Sequence, residues 1–175
     1  METNRIALLF HRFCIAALVV LSSQLNQASA ETELGSYKDW NAYTAQEDGK
    51  LVCYMGAVPK KSSGKYTKRG KTFLLITHRP KEKSINVVSL RAGYTYEKGS
   101  EVEMTIGKST FKLFTTKQWA FAEGTSLDKA LVNAMIRGST LTAKGLSSRG
   151  NWTTDIYSLN GFTAAYKAIG KACKI

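Results

Sequence analysis

Strand-length runs, some apolar nearly throughout and some alternating apolar with polar residues, repeat along most of the chain and constrain this sequence more than any other feature. A period of two puts side chains on opposite faces of a pleated strand, and a helix cannot use it. Such runs cover residues 51–55, 72–77, 85–90, 101–106, 110–115, 139–146 and 153–159, with further extended stretches at 92–97 and 119–122. Turn chemistry punctuates them. Glu47-Asp48-Gly49 reads as a turn, Gly107-Lys108-Ser109 joins two arms of a β-hairpin, and Arg79-Pro80-Lys81-Glu82-Lys83 turns the chain between two strands.

The period changes twice. In 128–137, together with Leu127, apolar residues recur at helical spacing, with Ser126 as expected N-cap and Gly138 as stop. In 162–173, Phe162, Ala165, Tyr166, Ile169 and Cys173 fall on one helical face. The expected fold is therefore mainly β with two helices: an antiparallel β-sandwich or partly open barrel, its C-terminal helix packed on the sheet. No internal repeat or second domain is visible. Tyr37, Trp40 and Tyr43, in an otherwise polar opening stretch, read as an aromatic edge against the core.

Residues 1–30 carry Arg5 and Arg12, then the apolar run 13–21, then Ala28-Ser29-Ala30. That order is a secretory signal peptide with cleavage expected after Ala30. The run is shorter than the ~20 residues a membrane-spanning helix needs. Cys14 precedes most of it, so a lipid-anchor reading fails. Residues 31–175 are then expected to form one domain of 145 residues, long enough for a hydrophobic core. Its net charge would be +11, because the leader removes two arginines and one glutamate from a chain of +12.

Cys53 and Cys173 are the cysteines beyond the leader. An exported protein meets an oxidising compartment, and both positions are expected to point inward, so a Cys53–Cys173 disulfide is the preferred reading over two buried thiols. Closing a loop of about 120 residues would stabilise the fold by roughly 4–5 kcal/mol in the chain-entropy picture.

Catalytic chemistry finds little footing. His78 is the one histidine beyond the leader, set at a strand end beside Arg79-Pro80, and no G-x-S-x-G turn is present. A zinc site wants several Cys and His ligands at set spacing, which one histidine and two distant cysteines do not supply. Glu101 and Glu103 share a strand face but read as exposed charges near Lys98. The sequence predicts no enzyme, no metal and no cofactor.

Charge is the feature above background. Lys60, Lys61, Lys65, Lys68, Arg69 and Lys71 put six cations into twelve residues around Tyr66, and Arg79, Lys81 and Lys83 follow in the next loop. If both loops share one end of the sheet, the nine cations form a single anion-binding face that weakens with salt. An anionic lipid or glycan is the expected partner. Nucleic acid is not, since export and a single tyrosine make a poor stacking platform. The bland alternative is a solvated loop that serves solubility.

Several segments, in order, carry a resemblance: Tyr37-Lys38-Asp39-Trp40, then Cys53, Gly93-Tyr94 and Lys98-Gly99-Ser100-Glu101-Val102. Leu131-Val132-Asn133-Ala134-Met135, Gly138-Ser139 and the stretch 154–166 continue it. Together they resemble the invasion-associated locus B family. The resemblance implies an exported protein of the Gram-negative periplasm or outer envelope with a part in host interaction, so the expected anionic partner becomes an envelope lipid, glycan or host-surface component. It does not imply an enzyme and assigns no ligand residues. Two further readings stay open beside a binding protein: a structural or chaperone-like envelope-integrity factor, and a hydrolase with an unrecognised site.

Overall fold

The computed structural model describes residues 31–175. The signal-peptide reading, with Cys14 and the cleavage site, lies outside the described residues.

Among the described residues, eleven strands and two α-helices build the fold. The strands are β1 (Thr32–Tyr37), β2 (Trp40–Glu47), β3 (Lys50–Ala57), β4 (Lys61–Gly64), β5 (Phe73–Arg79), β6 (Ser84–Arg91), β7 (Glu101–Ile106), β8 (Ser109–Thr116), β9 (Trp119–Phe121), β10 (Thr140–Leu146) and β11 (Trp152–Ser158). Helix α1 (Thr125–Arg137) lies between β9 and β10, and α2 (Phe162–Cys173) closes the chain. All strands join one antiparallel sheet in the order β1-β2-β3-β5-β6-β9-β8-β7-β10-β11-β4.

One sheet, rather than two stacked ones, is the outcome of the sandwich-or-barrel alternative, and the connection from β3 to β4 shows how it curls. Only 58–60 separate these strands, a reach of at most about 14 Å. Yet β3 lies third from one edge while β4 is the opposite edge. The far end of the sheet must therefore roll back toward its start. The Trp40 indole N–H of β2 donates to the Ser158 carbonyl of β11 at 3.0 Å, and Asp39 N–H donates to Asn160 at 3.3 Å. The result is a partly open barrel.

Alternation delivers one face of every long strand to the interior. Cys53 and Met55 of β3 face His78 and Ile76 of β5, Val88 and Leu90 of β6 continue the row, and Leu113, Met104, Leu141 and Tyr157 complete it. Each such large apolar side chain contributes about 1.5–3 kcal/mol by leaving water. Helix α2 lays Phe162, Ala165 and Ile169 against the inner face of β1, β2, β3 and β5. Phe162 meets the Trp40 ring edge-on at 4.9 Å. Cys173 then reaches Cys53, and the two are disulfide-bonded with Cα atoms 6.0 Å apart. Helix α1 covers β6, where the Asp128 carboxylate accepts the Val88 N–H at 2.8 Å, satisfying a donor in the part of β6 that extends beyond short β9. Among the described residues no helix is long and apolar enough to cross a membrane.

Some expectations shift. The opening stretch is the β1–β2 hairpin, and Trp40 is fully buried rather than at an edge. Strand β4 lies inside the expected loop. Residues 92–97 form only an isolated bridge, Tyr96 with Ser147. Helix α1 starts three residues before 128, capped by Gly124 rather than by Ser126. The Asp48-Gly49 turn is a tight two-residue hairpin with φ of 50° and 71°, a left-handed pair that Asp-Gly accepts readily.

Candidate functional site

Four connections meet at one end of the curled sheet: the 65–72 loop, the 92–96 segment after β6, the β8–β9 turn and the β10–β11 turn. Backbone hydrogen bonds stitch them together. Ala92 N–H donates to Gln118, Tyr96 N–H to Lys117, and Ser148 N–H to Thr95, at 2.8–3.0 Å. Gly70 N–H donates to Gly93 at 2.9 Å. Gly93 permits that approach, since a Cβ there would sit 2.3 Å from the Gly70 carbonyl, and its φ of +76° is left-handed. Between the four connections lies a cleft of about 730 Å³, within the usual range for ligand sites.

Arg69 locks the cleft wall. Its Nη1 and Nη2 fork onto the two Asp155 oxygens at 2.7 and 2.6 Å, and its Nε donates to the Ala92 carbonyl at 2.6 Å. Ser62 Oγ donates to the same carboxylate at 2.7 Å. Both side chains of the pair are almost wholly buried, at 6% and 4% exposed. Burial by itself pulls the guanidinium pKa down, but the Asp155 hydrogen bonds and charge outweigh it and the net shift is upward. The Arg69 guanidinium also lies 5.0 Å from the Tyr94 ring centre and 5.5 Å from that of Tyr66. Tyr94 is hydrogen-bonded to Thr153 through its hydroxyl at 2.6 Å, and burial raises its pKa. A planar five-donor fork is the group that can do all this at once.

The nine cations singled out in the sequence do not form one face. Strand β5 separates the two loops, and its seven residues span roughly 20 Å, so they lie at opposite ends of the strand. Lys65 and Lys68 line the cleft. Lys60 is ion-paired with Asp39 at 2.5 Å, and that bond leads the causes that hold the Asp39 carboxyl below its ordinary pKa. Lys61 is exposed on β4, and Lys71 is exposed just beyond the cleft lining. Arg69 is spent on Asp155 and is not free for a ligand. At the far end Arg79 forks onto Glu47 at 2.9 and 3.1 Å. Lys81 and Lys83 stay exposed there, on a turn whose Pro80–Glu82 segment is a single 3₁₀ turn.

The residue that sequence reasoning passed over is Arg149, which completes the basic lining from the β10–β11 turn. Ser148-Arg149-Gly150 signals a turn and nothing more; its neighbours come only from the fold. Lys65, Lys68 and Arg149 have no carboxylate partner among the described residues. Glu101, read beside Lys98, instead pairs across the hairpin with Lys112 at 2.9 Å. Among the described residues no three His, Cys, Asp or Glu side chains are grouped to hold a metal ion.

His78 lies away from the cleft, fully buried at the far end of β5. Burial lowers its pKa to about 4, and its Nδ1 accepts the Asn86 N–H at 3.1 Å, so the neutral ring keeps its proton on Nε2.

Fold and site together define a small, disulfide-linked β protein whose single curled sheet opens at one end into a basic cleft. The model of the Invasion associated locus B (IalB) protein family matches residues 40–170, and the chain belongs to that family. Membership fits an invasion-associated envelope protein. No curated protein and no solved structure matches this chain.

Proposed function

We propose that this protein is an exported, non-catalytic binding protein of the bacterial envelope, which captures an anionic partner in the cleft and so contributes to host-cell interaction. One observation carries the reading. Three unpaired cations, Lys65, Lys68 and Arg149, surround a concave site whose lining contains no acidic residue. Free charges around a concavity raise the local concentration of anions and speed their encounter. Arg69 and Asp155 fold the loop that carries two of these cations, so little loop ordering is left for the binding step. The reading involves no proton transfer: His78 is buried beside the disulfide, with one ring nitrogen already accepting a hydrogen bond.

The test is binding of the oxidised protein to anionic phospholipid vesicles, lipopolysaccharide and sulfated glycan, each at low and high salt. Binding to one of them should weaken as salt rises and be lost in the double variant Lys65→Glu, Lys68→Glu. Binding indifferent both to salt and to that variant would overturn the proposal.

A further inference from the structure

We propose that the ligand of this cleft is an acidic carbohydrate, a sugar whose sulfate, phosphate or carboxylate meets the cations while its ring and hydroxyls meet the rest of the lining. The inference rests on the anion-binding reading above and narrows it.

The lining is chemically mixed in a way that a bare anion does not require. Beside Lys65, Lys68 and Arg149 it presents Thr95, Gln118, Ser148 and Asn151. Hydroxyl and amide groups both donate and accept, which matches alcohols that do the same. A sulfate ion is an acceptor only and would leave the acceptor half of these groups unused. The Tyr66 ring joins the lining, 41% exposed, positioned by the clamped Arg69 guanidinium. An aromatic face is electron-rich and attracts the polarised C–H bonds on the apolar face of a sugar ring.

Shape separates a glycan from a membrane. A lipid surface is contacted by protruding apolar side chains and an outward cationic face. Here the cations line a recess large enough for ring-sized groups, and Tyr66 is the one exposed large hydrophobic side chain in its lining. The Arg69–Asp155 pair beneath the wall cancels its own charge, so selectivity falls to the three free cations and the neutral groups between them.

Calorimetric titration of the oxidised protein with a sulfated tetrasaccharide, its desulfated counterpart, inorganic sulfate and anionic phospholipid vesicles tests this. The sulfated tetrasaccharide should bind at least about tenfold more tightly than inorganic sulfate. Tyr66→Ala should weaken it about three- to tenfold, with Tyr66→Phe close to the parent, since the ring face carries the effect. Lys81→Glu at the far end should leave binding unchanged. Suppose instead that sulfate or vesicles bind as well as the tetrasaccharide and Tyr66→Ala changes nothing. The carbohydrate inference then falls while the anion-binding reading stands. Equal binding of the desulfated sugar would also overturn it, and no salt-sensitive binding to any probe would remove both. A melting temperature for each variant shows that a lost affinity is not a lost fold.

Discussion

Strand β5 joins two basic loops, and the molecule treats their charges in opposite ways. Before the strand, Arg69 is buried and forked onto Asp155, which leaves Lys65 and Lys68 unpaired around a cleft. After it, Arg79 is spent on exposed Glu47, Glu82 holds Lys50 at 3.4 Å, and Lys81 and Lys83 stand free on a tight turn. The ends also close differently. The cleft end is held by an ion pair and its hydrogen bonds, the far end by the Cys53–Cys173 disulfide beside His78. Cation density along the chain therefore does not say which charges stay free; here one buried cation is paired while its neighbours are left unpaired around the cleft.

The sharpest way to break this comparison is to remove the partner of the buried charge. Asp155→Ala leaves Arg69 desolvated and unpaired, which should cost about 3–5 kcal/mol, read as a large drop in melting temperature. An effect no larger than that of Glu47→Ala would mean that the two ends are held alike. Removing the staple with the Cys53→Ser, Cys173→Ser pair should destabilise by about 2–5 kcal/mol in denaturant unfolding. Ligand affinity measured well below the melting temperature should stay within about twofold of the parent, because the disulfide lies away from the cleft.

Acid should act on the far end. His78 has a folded pKa of about 4 against an ordinary 6.5, so the unfolded chain binds the proton more readily. The stability this group contributes is intact above pH 6.5 and is lost as pH falls toward 4, by up to about 3 kcal/mol. His78→Phe should flatten that part of the stability profile; an unchanged profile would assign the acid sensitivity elsewhere. For binding, Lys68→Glu alone should weaken an anionic ligand by about tenfold at low salt, and Lys81→Glu by less than about twofold. The smallest effect belongs to Glu47→Ala, about 0–1 kcal/mol, since its ion pair with Arg79 is exposed.

Strands carried by strand-length apolar or alternating runs, β5 through β8 with β10 and β11, are legible in the sequence, and so are both helices, because such patterns are local properties. Strand β4 is not. Lys-Ser-Ser-Gly carries no apolar residue and is extended because β11, 89–95 residues further along the chain, offers it hydrogen bonds. The β1–β2 hairpin was hidden likewise, since its anchor Trp40 is buried by Phe162 of the last helix. In the site, Lys65 and Lys68 were visible as charge. Arg69 reads as a free cation in the sequence because its partner Asp155 is 86 residues away, and Arg149 sits in a plain turn.

Alternation, turn residues and two inward cysteines were enough to specify a mainly β protein closed by a helix, because each acts over a few residues of chain or through a single covalent pair. Which cations are free was settled only by the curl of the sheet. Charge pairing depends on distances of a few ångströms between residues remote in sequence, and burying Arg69 against Asp155 left Lys65, Lys68 and Arg149 facing one cleft.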